Sequence, residues 1–133
     1  MGRIHEIKIE KNEDIKRIIN DFVIEKGWKN SYISGAIGSV CDVEFTAPIA
    51  RELPPVIGTA ICPGPGELLA FTGEIMERSS MDPILSAAYP DSESSLFIHI
   101  HASVAVSGGH VYGGGFRKGN AFRGVKVYIQ EQD

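Results

Sequence analysis

Cysteine is scarce in this chain. Only Cys41 and Cys62 occur, and their spacing matches no CxxC pattern of the zinc or redox type. Both sit among apolar residues, where a free thiol behaves as a small hydrophobe, so two reduced, buried cysteines are expected. Long apolar runs are also missing. No stretch approaches the roughly 18 apolar residues of a membrane span. The opening residues, MGRIHEIKIEKNED, alternate charge with isoleucine and lack the apolar core of a secretory signal. A myristoylation pattern fails at Glu6, where serine or threonine would be needed. The expectation is a cytoplasmic protein without membrane contact. Positive charge is in deficit as well: 13 lysines and arginines stand against 17 carboxylates, a formal net charge of −4. A protein that grips a DNA backbone unaided usually presents a net basic face, so tight direct DNA binding is not expected.

Glycine and proline are abundant, at 15 and 7 residues. Their excess predicts many tight turns, and hence a sheet-rich fold rather than a helical bundle. The apolar share of 43% and the charged share of 23% are those of an ordinary globular protein. A length of 133 residues suits one core, so residues 1–133 read as a single domain.

One helix is signalled. Ile15, Ile18, Ile19, Phe22 and Val23 recur at helical spacing. Asn12 is a candidate N-cap, Glu13 and Asp14 put acid at the positive end, and Gly27 is a natural stop. The helix is expected over about residues 13–26. Ile7 and Ile9 before it alternate with charge, as in a strand. After it come short apolar runs: Tyr32 to Val40, Val43 to Phe45, Val56 to Ile61, Leu68 to Ile75, Leu96 to Val106 and Phe122 to Ile129. Pro63-Gly64-Pro65-Gly66 is a turn cluster, and residues 76–95 read as a loop with a short helical turn near Leu85 to Ala88. Gly35 and Gly38, inside a strand, predict a bulge or a close approach by another backbone. The order implies an α+β domain with a mainly antiparallel twisted sheet and one main helix.

The segment FIHIHASVAV carries the clearest chemistry. Strand side chains alternate, so Phe97, His99, His101 and Ser103 share one face, while Ile98, Ile100, Ala102 and Val104 point to the core. Two histidines at i and i+2 lie about 7 Å apart at the base, close enough to share zinc or another divalent metal. They could equally be surface or interface histidines with ordinary hydrogen bonds. Two ligands do not complete a metal site, and a third would come from His110, His5 or a carboxylate. Glu67 is a candidate ligand or general acid. The run Gly108, Gly109, Gly113, Gly114, Gly115 does not match a phosphate loop, because Gly119 follows Lys118 and no helix opens there. Close packing between strands or subunits is the alternative use of these glycines. Arg117, Lys118, Arg123 and Lys126 could contact phosphate or an acidic partner, or form a solvated strand edge.

The ordered set GAIGSV (Gly35 to Val40), GELLAFTGEI (Gly66 to Ile75), the pair His99 and His101, and VYGG (Val111 to Gly114) resembles the plants-and-prokaryotes-conserved (PPC) domain. The motif residues are Gly35, Gly38, Gly66, Glu67, Gly113 and Gly114, and the resemblance runs from about Arg3 to Ile129. In plants this domain follows AT-hooks in nuclear proteins. In bacteria and archaea it stands alone and is often labelled DNA-binding. The resemblance implies an α+β fold related to acetolactate decarboxylase, a homotrimer, and in prokaryotic members a metal held by three histidines. Here the third histidine position falls on Gly115, and Lys126 stands where the family usually has a glutamate. An AT-hook is absent from the sequence, whose only Gly-Arg near the start is Gly2-Arg3 followed by Ile4.

The residues and the resemblance together imply a homotrimeric binding or interaction module rather than settling on an enzyme, linked to DNA-associated regulation through contacts with itself and with regulatory proteins. The alternative is a metal-dependent hydrolase or lyase built on His99 and His101, with a degraded third ligand position at Gly115.

Overall fold

A computed structural model describes residues 2–88 and 94–132, with Ala88 described in its backbone alone. The element order is β1 (His5–Glu10), α1 (Ile15–Lys26), β2 (Asn30–Pro48), β3 (Ile57–Ile61), β4 (Gly66–Glu77), a 3₁₀ turn (Arg78–Ser80), α2 (Pro83–Ala88), β5 (Leu96–Val106) and β6 (His110–Glu131). The sheet runs β1-β6-β5-β4-β2-β3, and β6 also pairs with β2. Every named pairing is antiparallel. The ladders β2–β4, β4–β5, β5–β6 and β6–β2 therefore close on themselves. This is the mainly antiparallel α+β architecture expected from the turn content.

Helix α1 forms for the reasons legible in its residues, with its start displaced. Asp14, not Asn12, is the N-cap, and its carboxylate accepts a hydrogen bond from the Arg17 N–H at 3.0 Å. Asn12 adopts a left-handed turn instead, with φ 68°. Gly27 closes the helix at φ 72°, its N–H donating to the carbonyls of Val23 and Ile24. Ile15, Ile19 and Val23 are fully buried, and Ile18 and Phe22 pack at the margin of the same core. The helix lies against β6, β1 and β5.

Two strands are longer than the apolar runs predict. β2 is continuous from Asn30 to Pro48 and absorbs four register shifts against β6. β6 begins at His110 and takes the glycine-rich segment into the ladder. Those glycines look like a turn in sequence because they lack the apolar alternation of a strand. They are strand residues because a second backbone passes close by: a Cβ on Gly114, at φ 147°, would lie 2.8 Å from the Thr46 carbonyl oxygen. The same reason holds at Gly38, φ 145°, where a Cβ would lie 2.2 Å from the Gly124 carbonyl oxygen. Gly35 has open space where its Cβ would be, so only one of the two β2 glycines marks a close approach. β4 continues through Glu77, so the expected loop begins two residues late. The expected helical turn is α2, while residues 89–93 of that loop lie outside the described residues.

Candidate functional site

The alternation of β5 places the histidines as the sequence implies. Ile98, Ile100, Ala102 and Val104 are buried in the core, whereas His99 is half-buried and His101 exposed on the outer face. Phe97 shares the outer face but is covered: Arg78 lies over its ring at 5.8 Å, and the His99 ring lies 5.3 Å away. The two imidazoles meet edge to face, with centroids 4.8 Å apart and planes at 88°.

Cross-strand register builds the surroundings. On β4, Glu74 stands opposite His99 and Thr72 opposite His101. On β2, Tyr32 stands opposite Glu74. A small cleft of about 240 Å³ is lined by these five side chains and Gly73. Burial lowers the His99 pKa below its ordinary value; the neighbouring His101 and Lys16 add to this, and Glu74 works against it. Near neutral pH the His99 ring is therefore uncharged, with one nitrogen to donate and one to accept.

The third-ligand candidates are dispersed. Gly115 is the direct partner of His101 on β6, so the aligned position is adjacent to the pair but carries no side chain. A Cβ there would sit 2.5 Å from the Thr46 hydroxyl oxygen. His110 pairs with Val106, five residues along β5 from His101, or about 16 Å at strand rise. Glu67 pairs with Ala105, four residues away, or about 13 Å. His5 packs edge to face on Trp28 and Phe22, at 5.1 and 6.0 Å. Among the described residues no group of three or more histidine, cysteine, aspartate or glutamate side chains is placed to hold a metal ion. The described side chains of one chain therefore do not fit a three-ligand metal centre.

The basic residues of β6 separate into two places. Glu44 accepts a hydrogen bond from Arg117 at 2.9 Å and lies 3.6 Å from Lys118. Arg123 and Lys126 lie further along β6, where Lys126 faces Lys8 on β1 and Ile37 on β2. They sit five and eight residues beyond Lys118 on the same strand and are not held by Glu44. Four motif glycines, Gly38, Gly66, Gly113 and Gly114, allow a close backbone approach, and Gly35 does not. A Cβ on Gly66 would meet the Ala105 carbonyl oxygen at 2.6 Å, and one on Gly113 the Ala102 carbonyl oxygen at 3.0 Å. The close packing expected of Gly113 to Gly115 is thus used within the chain, against β5 and β2. Burial raises the pKa of both unpaired thiols, buried Cys62 and half-buried Cys41.

Tyr32, Thr72 and Glu74 were not singled out from sequence. Glu74 lies inside the GELLAFTGEI motif, but only register puts it opposite His99.

An antiparallel ring with a histidine pair on its outer face defines the class, and comparison with known families agrees. The Plants and Prokaryotes Conserved (PCC) domain matches residues 1–133, and the chain belongs to that family. No match was found among curated proteins. A PPC protein of Pyrococcus horikoshii superposes with a TM-score of 0.78 at 19% identity, covering 99% of this chain and 80% of the other. A metal-containing protein of Archaeoglobus fulgidus gives 0.75 at 24%, covering 98% and 79%. A Bacteroides thetaiotaomicron protein, provisionally named DNA-binding, gives 0.72 at 18%, covering 100% and 81%. At these identities the likeness is one of fold.

Proposed function

We propose that this chain is a self-assembling PPC module, a cytoplasmic homotrimer that binds partner proteins rather than gripping DNA itself. The observation that carries this reading is the outer face of β4, β5 and β6. Leu69 and Val111 are 59% and 57% exposed there, Ala70, Ser103, Ala105 and Gly113 add little side-chain relief, and exposed Glu67 stands opposite Ala105 on the same face. A flat face of small and exposed apolar residues suits association between protein surfaces. A three-fold ring joins two different patches at each contact, so this face would meet another surface of the next copy. A role in DNA-associated regulation would then run through protein contacts, given the −4 charge.

Light scattering at micromolar concentration tests the reading. Three times 14.4 kDa is expected, and Val111→Asp should lower the mass. A wild-type mass of one or two chains overturns the trimer. A dissociation constant near 10⁻⁸ M for a defined duplex, with a steep salt slope, overturns the rejection of direct DNA binding.

A second reading is favoured by the 4.8 Å approach of the His99 and His101 rings and by the metal-containing relative from Archaeoglobus fulgidus. It makes the protein a metal-dependent hydrolase or lyase, akin to acetolactate decarboxylase, whose missing ligand comes from a neighbouring copy. Zinc at one per subunit in freshly purified protein would favour it over the first reading.

A further inference from the structure

After the pair His101–Gly115, β6 leaves β5 and follows β2. β5 from Leu96 to Ile100 thereby keeps one edge with no paired strand among the described residues. The divergence opens a cleft of about 1010 Å³ between that edge, the Gly115–Lys118 stretch of β6 and the first turns of α1. Its size falls in the range of small-molecule sites.

The lining is cationic although the whole chain is acidic. Lys16, Arg17, Arg78, Arg117 and Lys118 face it, against the two carboxylates Asp14 and Glu44. Several of these cations are already engaged. Glu44, only 15% exposed, holds Arg117 and Lys118. Arg17 lies 3.5 Å from Asp21, and Arg78 stacks on Phe97. Lys16 differs. It is half-buried, and among the described residues it makes no ion pair or hydrogen bond. Desolvation lowers its pKa, with Asp14 opposing and Arg117 adding to the effect. A partly desolvated ammonium that makes no ion pair is costly, and a bound oxyanion would relieve that cost. The hydroxyls of Thr46 and Thr59 and the amide of Asn20 border the same space and supply neutral hydrogen-bonding groups.

We propose that this cleft binds a small phosphate-bearing ligand, with Lys16 as the central point charge and the Glu44-anchored Arg117 as the planar donor beside it. Lysine and arginine together suit phosphate oxygens, the one as a compact charge and the other as a fork. The site is distinct from the outer-face patch and does not depend on the proposed assembly.

Calorimetric titration of the full chain with pyrophosphate tests the proposal, with citrate as a carboxylate comparison. Pyrophosphate is expected to bind, to weaken as salt rises, and to bind more tightly than citrate. Lys16→Met keeps the apolar stem and should weaken binding at least tenfold, while Lys29→Met, on the exposed turn after α1, should not. A wild-type measurement covers the event that Lys16→Met fails to fold: pyrophosphate should slow amine labelling of Lys16 and leave Lys29 labelling unchanged. No binding at millimolar pyrophosphate, tighter binding of citrate, equal loss in the two variants, or unprotected Lys16 would each overturn the proposal.

Discussion

From His101 to Val106, β5 has β4 on one side and β6 on the other; from Leu96 to Ile100 only β4 pairs with it among the described residues. Both halves obey the same alternation, with Ile98, Ile100, Ala102 and Val104 all facing the core. What differs is the free edge. In the sealed half the backbone is satisfied by two neighbours, and the outer face carries mostly small side chains beside Glu67 and His101. In the open half a cationic cleft occupies the place of the missing strand. His99 and His101 sit astride this boundary, which is why His99 is half-buried beside Lys16 and His101 is exposed. Identical local patterning can thus serve two surfaces when one neighbouring strand turns away.

The largest expected effect breaks the shared feature, the inner face. Ile100→Ala should lower unfolding stability by about 2–5 kcal/mol, the usual cost of emptying a fully buried position. His101→Ala, one residue on and facing out, should stay within about 0.5 kcal/mol, as exposed positions do. Chemical denaturation of both variants measures the difference. Comparable losses would mean that the alternation does not set burial here.

A second variant acts at the boundary itself. Gly115→His places an imidazole beside His101, but its Cβ would meet the Thr46 hydroxyl oxygen at 2.5 Å. The double change Gly115→His with Thr46→Ala removes that obstacle. Zinc content, read by elemental analysis after dialysis, should rise from below one per chain in the wild type towards one per chain. A folded double variant that gains no metal would show that Gly115 is not equivalent to a ligand position.

Acid should separate the halves more gently. The His99 pKa lies below its ordinary 6.5 because burial disfavours the charged ring. Its unfolded form takes up a proton first as pH falls, so stability holds above pH 6.5 and declines as pH drops through the folded value. In denaturation midpoints between pH 7.5 and 5, wild type should lose more than His99→Gln. Equal slopes would remove His99 from the acid response. The smallest effect belongs to Arg123 and Lys126. Arg123→Ala and Lys126→Ala should each change stability by no more than about 0.5 kcal/mol and leave pyrophosphate binding unchanged, because neither lines the cleft.

Much of the fold was legible because it rests on short-range rules. The stripe Ile15, Ile19, Val23 and the stop at Gly27 define α1 within one segment, since helix hydrogen bonds close within four residues. Alternation in β5 put His99 and His101 on one face, and the resemblance pointed to Gly115, which lies directly opposite His101. The glycine-rich start of β6 was not legible as strand, because its reason is a backbone from β2 nearly seventy residues earlier. The N-cap was misplaced by two residues because Asn12 and Asp14 are both good caps, and the choice fell to the turn that joins β1 to α1.

For this protein the sequence by itself determined the faces of β5, the single main helix and the paired imidazoles, which residue spacing carries, and the family, which its ordered motifs carry. The tertiary structure alone decided that Glu74 and Tyr32 share the histidine cleft, that Glu67 and His110 do not, and that Lys16 meets Arg117 across the gap where β6 leaves β5. Those placements depend on register between strands and on where a strand changes partner, and spacing along one strand carries neither.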